Sequence, residues 1–164
     1  MLPRLLPYFL RPHETSVLLD LARHLPFEPG RLGSGYEKAA IPEDLAPLLD
    51  LRLRGLALFG LRSDPDPEEI APFVPIDCYL LRYGEGSHAP PHVDPGRASR
   101  EHWRLNAIIQ EPGHGGDLYV GGIQYFLQQS DAVLFRPDEQ PHEVTLVQGR
   151  DRLVWSLGAL LPAR

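Results

Sequence analysis

The sequence predicts a mainly β fold with N-terminal helices, a sandwich or barrel carrying its helices on one face, and three observations support this. An apolar stripe of helical period lies near the N-terminus, at Val17, Leu18, Leu21, Ala22 and Leu25. From residue 77 onward the character changes to short apolar or β-branched runs separated by Gly- and Pro-rich turns. Between the two regions, residues 62–75 carry Pro65, Pro67, Pro72 and Pro75, a connection too short and too central to divide the chain into two cores. Helices first and strands afterwards place the helices on one side of a β core.

In chain order, a helix is expected over 14–25, stopped by Pro26, and then a loop with Pro29, Gly30, Gly33 and Gly35. Pro42, Glu43 and Asp44 suit a helix first turn, with negative charge at the positive end of the dipole. The alternation from Leu49 to Arg54 suits a strand, so a helix with a strand-like end is expected over 42–59. Strands follow at 77–83, 103–110, 117–120, 123–127, 132–136, 144–147 and 153–160. The expected organisation is a single domain, 1–164, with a helical N-terminal packing region at 1–60 and a β core at 76–162.

Composition narrows the function classes. At 164 residues the chain is long enough to bury a core, and Pro (18) and Gly (15) stay below the level of a disordered segment. The single cysteine, Cys78, excludes an intrachain disulfide and any multi-cysteine zinc or iron–sulfur site. No apolar run reaches transmembrane length, and residues 1–10 carry Pro3 and Pro7 without a small-residue cleavage site, unlike a signal peptide. A soluble, reducing, cytoplasmic setting without a membrane partner is the expectation. The net charge of −6 disfavours nucleic acid, whose phosphates need a basic face.

The chemistry centres on Pro90-Pro91-His92-Val93-Asp94. Residues two apart on an extended segment share a face, so His92 and Asp94 can offer one imidazole nitrogen and one carboxylate oxygen to the same metal ion. His142, in Pro141-His142-Glu143-Val144, is the best candidate for a third ligand. Two histidines and one carboxylate form the facial triad of non-haem Fe(II) sites, with coordination positions left open. The same donors also suit zinc, but no His-Glu-x-x-His helix supplies the base of a hydrolase. Taken singly, His92 and Asp94 also read as a loop histidine beside a turn aspartate, and His142 as a histidine at a strand start.

Together these stretches resemble the Fe(II)/2-oxoglutarate-dependent dioxygenases, in their prolyl-4-hydroxylase-like branch. The resemblance runs from Tyr83-Gly84-Glu85-Gly86 through His92-x-Asp94 and Gly115-Gly116-Asp117-Leu118-Tyr119-Val120 to Pro141-His142-Glu143-Val144, with Arg152 ten residues after His142. It implies a double-stranded β-helix, or jelly roll, with Fe(II) held by the catalytic residues His92, Asp94 and His142. It also implies 2-oxoglutarate as cosubstrate, dioxygen as oxidant, and Arg152 as the anchor of the distal carboxylate. An arginine fork meets a carboxylate bidentately, as lysine cannot. Arg152 has rivals: a surface place beside Asp151, or Arg150 in its role. Tyr83 and Asn106 match positions where the family sets polar groups against 2-oxoglutarate, although each also fits a partner within the protein. Gln110 and Glu111 depart from the family's usual strand ending.

The implied reaction is hydroxylation of an unactivated carbon of a peptidyl or free amino-acid side chain, proline first, or of a small metabolite. The segment from Pro95 to Arg104 is expected beside the metal, with Arg97, Arg100 and Trp103 as substrate contacts or as a solvated loop. The alternative is a cupin-like metal-binding protein without 2-oxoglutarate turnover; cupins, however, usually offer His-x-His, not His-x-Asp followed by an arginine.

Overall fold

A computed structural model of the chain describes residues 2–31, 33–61, 74–97 and 99–163. Most of the proline-rich connection expected over 62–75 lies outside the described residues.

Strand β1 (Arg4–Leu6) precedes helix α1 (Pro12–His24), and two short strands follow, β2 (Glu28–Pro29) and β3 (Glu37–Ala40). Pro12 at the first helical position has no N–H to leave unsatisfied, and Glu14 accepts the Arg11 N–H at 2.8 Å. A 3-10 turn (Ala46–Leu48) leads into helix α2 (Leu49–Leu58). The strand-like end expected there is therefore helical, and the N-terminal region holds three strands besides its helices. The Leu49–Arg54 alternation does not describe α2: Leu51, Gly55 and Leu56 are its buried residues, at helical spacing, while Leu49 is exposed. Gly55 lets the helix lie close on the sheet, because a Cβ there would stand 2.6 Å from Leu157 Cδ2.

The β region contains β4 (Ile76–Tyr83), β5 (Ala89–His92), β6 (Arg100–Gln110), β7 (His114–Gly115), β8 (Leu118–Val120), β9 (Ile123–Tyr125), β10 (Ala132–Phe135), β11 (His142–Val144), β12 (Val147–Gln148) and β13 (Arg152–Pro162). They form a seven-stranded sheet in the order β1-β10-β6-β13-β4-β3-β2, a four-stranded sheet in the order β5-β11-β8-β9, and the β12–β7 pair. All the strand pairings are antiparallel. Two facing antiparallel sheets with non-consecutive neighbours make the expected jelly roll.

Side-chain alternation divides the large sheet into two working faces. Leu153, Trp155 and Leu157 of β13, with Leu105, Ala107 and Ile109 of β6, pack with Leu18 of α1 and Leu51 and Leu56 of α2. The opposite face presents Tyr83, Val133 and Phe135 to Leu118, Val120 and Val144 of the smaller sheet. Arg152 and Ser156 belong to that second face by the period of two. The functional side chains therefore sit between the sheets, remote from the helices. No helix among the described residues is long and apolar enough to cross a membrane.

Candidate metal centre

His92 ends β5 and His142 begins β11, and the two are direct cross-strand partners. Asp94 follows two residues after His92, on a segment tied by its N–H to the Pro137 carbonyl at 2.8 Å. One ligand atom each from His92, Asp94 and His142 lies within 4.8 Å of the others. The register of two short strands and one backbone hydrogen bond is sufficient to assemble the trio.

The local hydrogen bonds select the imidazole tautomer a metal needs. His92 Nδ1–H donates to the Pro90 carbonyl at 2.7 Å, and His142 Nδ1–H to the Gln140 carbonyl at 3.1 Å. A carbonyl can only accept, so each Nε2 keeps its lone pair for a metal. Burial pushes the His142 pKa down to about 4, against the opposing Gln140 hydrogen bond, and the neighbouring His92 lowers it further. A neutral His142 is the ligating form. Asp94 Oδ1 lies 3.6 Å from His92 Nε2 and 3.1 Å from Arg31 Nη2, while Asp94 Oδ2 lies 3.6 Å from His102 Nδ1. Two imidazole nitrogens and a carboxylate oxygen on one side of a point suit Fe(II), so the residues present fit the implied metal.

The trio opens onto a cavity of about 230 Å³ between the two sheets. Arg152 lines it too, 3% exposed, with its Cζ 5.1 Å from the ring centre of Tyr83, its cross-strand partner. Burial lowers the Arg152 pKa, opposed by Tyr83 and Asp117, and no described carboxylate forms an ion pair with it. The surface place beside Asp151 is thus excluded for Arg152. Arg150 is exposed and donates from Nε to the Glu111 carbonyl at 3.0 Å.

Gly116 makes this packing possible. Its φ is +67°, and a Cβ there would lie 3.0–3.1 Å from Pro112, Val147 and Arg152 Cδ. Tyr83 is buried, stacked on Tyr36 at 4.7 Å, and burial pushes its hydroxyl pKa up to about 12, so it stays protonated. Asn106 lines the cavity and accepts from Ser156 Oγ at 2.7 Å; Ser156 in turn accepts from Arg104 Nη1 at 3.2 Å. Gln110 donates from Nε2 to the Asp151 carbonyl at 2.8 Å.

Arg97, Arg100 and Trp103 do not line this cavity. Arg97 is exposed, Arg100 donates to the Leu160 carbonyl at 3.1 Å, and Trp103 packs on the helix side with its Nε1 donating to Glu101 at 3.1 Å. The same strand sends Arg104 and Asn106 into the cavity, and His102 approaches Asp94. Alternation from Asn106 back to Arg104 and His102 was the available signal for that face. Arg31, Tyr36, Lys38 and Tyr79 also line the cavity and were not picked out from the sequence. No local pattern reveals that β3 joins the large sheet beside β4.

Neither a family model nor a curated protein sequence matches this chain. Its fold does match solved structures. A Pseudomonas putida prolyl-4-hydroxylase is 21% identical, with 99% of this chain and 92% of that one covered, at a TM-score of 0.69. A Trichoplax adhaerens prolyl hydroxylase in complex with a hypoxia-inducible-factor peptide fragment is 16% identical, covering 96% and 83%, at 0.72. HygX from Streptomyces hygroscopicus, with nickel, 2-oxoglutarate and hygromycin B bound, is 13% identical, covering 97% and 82%, at 0.70. The fold is that of the 2-oxoglutarate–Fe(II) oxygenases, in the prolyl-hydroxylase-like form.

Proposed function

We propose that this protein is an Fe(II)- and 2-oxoglutarate-dependent dioxygenase hydroxylating an unactivated carbon of an amino-acid side chain, peptidyl or free, with proline the first candidate. The observation that carries this reading is Arg152: a buried guanidinium, unpaired by any described carboxylate, opening onto the same cavity as the His92, Asp94 and His142 donors. A buried cation with no carboxylate in direct contact is costly, and an anionic ligand removes that cost. The likeness in fold to 2-oxoglutarate-bound HygX and to prolyl hydroxylases supports the same reading.

In this proposal His92 and His142 give Nε2 lone pairs and Asp94 a carboxylate oxygen to Fe(II), all held in place by the backbone contacts described above. Arg152 receives the distal carboxylate of 2-oxoglutarate as a fork, and the protonated Tyr83 hydroxyl is available to donate to the same ligand. The Asn106 amide, held by Ser156, lines the same cavity. When bound, Fe(II) and 2-oxoglutarate supply dioxygen activation and the oxidising equivalents that convert C–H to C–OH, with succinate and carbon dioxide as co-products. Leu118, Phe135 and Val144 wall the site with apolar surface and exclude water. A cupin-like metal protein without 2-oxoglutarate turnover offers no ligand for Arg152. The whole chain, 1–164, is read as one catalytic domain.

The test is release of labelled carbon dioxide from 2-oxoglutarate by iron-loaded protein in air. Turnover that disappears in His92→Ala and His142→Ala supports the proposal; iron-loaded protein that neither binds nor decarboxylates 2-oxoglutarate rejects it.

A further inference from the structure

The cavity is strongly cationic in a chain of net charge −6: Arg31, Lys38, Arg104 and Arg152 line it, against Asp94 as the one acidic lining residue among the described residues. Arg104 is already neutralised, with Nη1 and Nη2 at 2.5 and 3.2 Å from the Asp77 carboxylate. Gly158 is part of that arrangement, since a Cβ there would stand 2.7–2.8 Å from both partners. Arg152 is assigned above to 2-oxoglutarate, and the charges of Arg152 and Fe(II) are together balanced by those of 2-oxoglutarate and Asp94. Arg31 and Lys38 remain.

Among the described residues, Lys38 has only a solvated partner, and Arg31 shares its partner with the metal site. Lys38 Nζ lies 3.9 Å from Glu28, itself 69% exposed, and 5.0 Å from the ring centre of Tyr79. A solvated pair of that kind contributes little. Arg31 pairs with Asp94 at 3.1 Å, a carboxylate that a metal would share. Lys38 sits on β3 opposite Leu81 of β4, and Leu81 in turn faces Val154 of β13. It is therefore about 10 Å across the sheet from β13, the strand that carries Arg152. Arg31 at Asp94 and Lys38 beside Tyr79 add two cations to the same cavity from the chain around β3, not from the strand that carries Arg152.

Resting on the oxygenase reading, we infer that Arg31 and Lys38 bind a carboxylate of the substrate itself. The substrate class is then a small free acid, a free amino acid in the first instance, in preference to an internal residue of a polypeptide, whose own α-carboxyl is tied up in a peptide bond. Arg31 offers the fork, Lys38 the second charge, and the tyrosine rings an apolar flank.

The probes are the free amino acids and their amides, matched pair by pair. Binding is followed by ligand-observed NMR on full-length protein loaded with Zn(II), which cannot turn over, and 2-oxoglutarate. At least one acid should bind, its amide roughly tenfold or more weaker, because charge-assisted hydrogen bonds are lost. Arg31→Gln and Lys38→Gln should each weaken the acid by a similar factor and leave the amide where it was. Equal binding of acid and amide, acid binding untouched by both substitutions, or no acid bound at millimolar concentration would each overturn the inference. Calorimetry of 2-oxoglutarate on the same proteins separates the two readings. Acid binding that depends on Arg31 and Lys38 without any 2-oxoglutarate binding sinks only the oxygenase reading. Loss of 2-oxoglutarate affinity in Lys38→Gln would assign that lysine to the cosubstrate and overturn this inference.

Discussion

Replacing Arg152 by methionine should move ligand affinity and fold stability in opposite directions. The guanidinium is 3% exposed, and its strongest described compensation is the Tyr83 ring at 5.1 Å. A desolvated cation–π contact contributes about 2 kcal/mol. Dehydrating the cation costs several kcal/mol, and apolar replacement of buried charge is typically neutral or stabilising by about 1–4 kcal/mol. Methionine fills similar volume without charge, so the melting temperature of ligand-free protein should hold or rise, by roughly 2–4 °C per kcal/mol at this chain length. Binding of 2-oxoglutarate should lose about 3–5 kcal/mol, roughly two to three and a half orders of magnitude, as its distal carboxylate is left unpaired. Differential scanning fluorimetry and calorimetry on Zn(II)-loaded protein read the two effects separately. A lower melting temperature with unchanged 2-oxoglutarate affinity would show that Arg152 is a structural residue and refute the reasoning.

Three further outcomes are expected. Because burial depresses His142 to about 4 in the fold while an unfolded histidine titrates near 6.5, the unfolded state binds more protons between those values, so metal-free protein should lose stability as pH falls through that window. Denaturant titrations should show the slope, and His142→Gln should flatten it. For Glu14, burial alone would raise the carboxyl pKa, but hydrogen bonds from Arg54 at 2.7 and 2.9 Å and from the Arg11 N–H at 2.8 Å outweigh it and hold the value below 4.5. Its stabilisation is present above the unfolded value and is lost as pH falls through the lower folded value; Glu14→Gln should cost about 3 kcal/mol at neutral pH, read by denaturant midpoint. Gly116→Ala, forced onto a positive φ with a Cβ 3.1 Å from Arg152 Cδ, should weaken 2-oxoglutarate binding about tenfold or more by calorimetry while leaving Zn(II) binding in place.

The parts of the molecule legible in the sequence were those governed by period and spacing. The period of two along 152–157 is enough to separate Arg152 and Ser156 from Leu153, Trp155 and Leu157, and the two faces of β13 follow it. The His-x-Asp spacing and the distant His142 marked the three donors that the strand register brings together. What was not legible depends on contacts remote in sequence. Strand β1 is three mostly exposed residues and exists through its pairing with β10. Helix α2 overrides a strand-like alternation because Leu51, Gly55 and Leu56 pack on the large sheet and Arg54 reaches Glu14. Arg31 and Lys38 enter the cavity only because β3 extends that sheet beyond β4. Residues 95–104 suggest a loop beside the metal, but Arg100–Gln110 is strand β6, so the period of two decides the faces: Trp103 points to the helix side, and Arg104 and Asn106 to the metal side.

The most direct test of the central claim is an anaerobic titration of the protein with Fe(II) and then 2-oxoglutarate, followed by visible absorption. A weak charge-transfer band that grows with 2-oxoglutarate, is absent in His142→Ala and needs far more 2-oxoglutarate in Arg152→Met is the expected result. Iron bound at the His92, Asp94 and His142 site with no band at any 2-oxoglutarate concentration would contradict it and leave a metal-binding protein of cupin type.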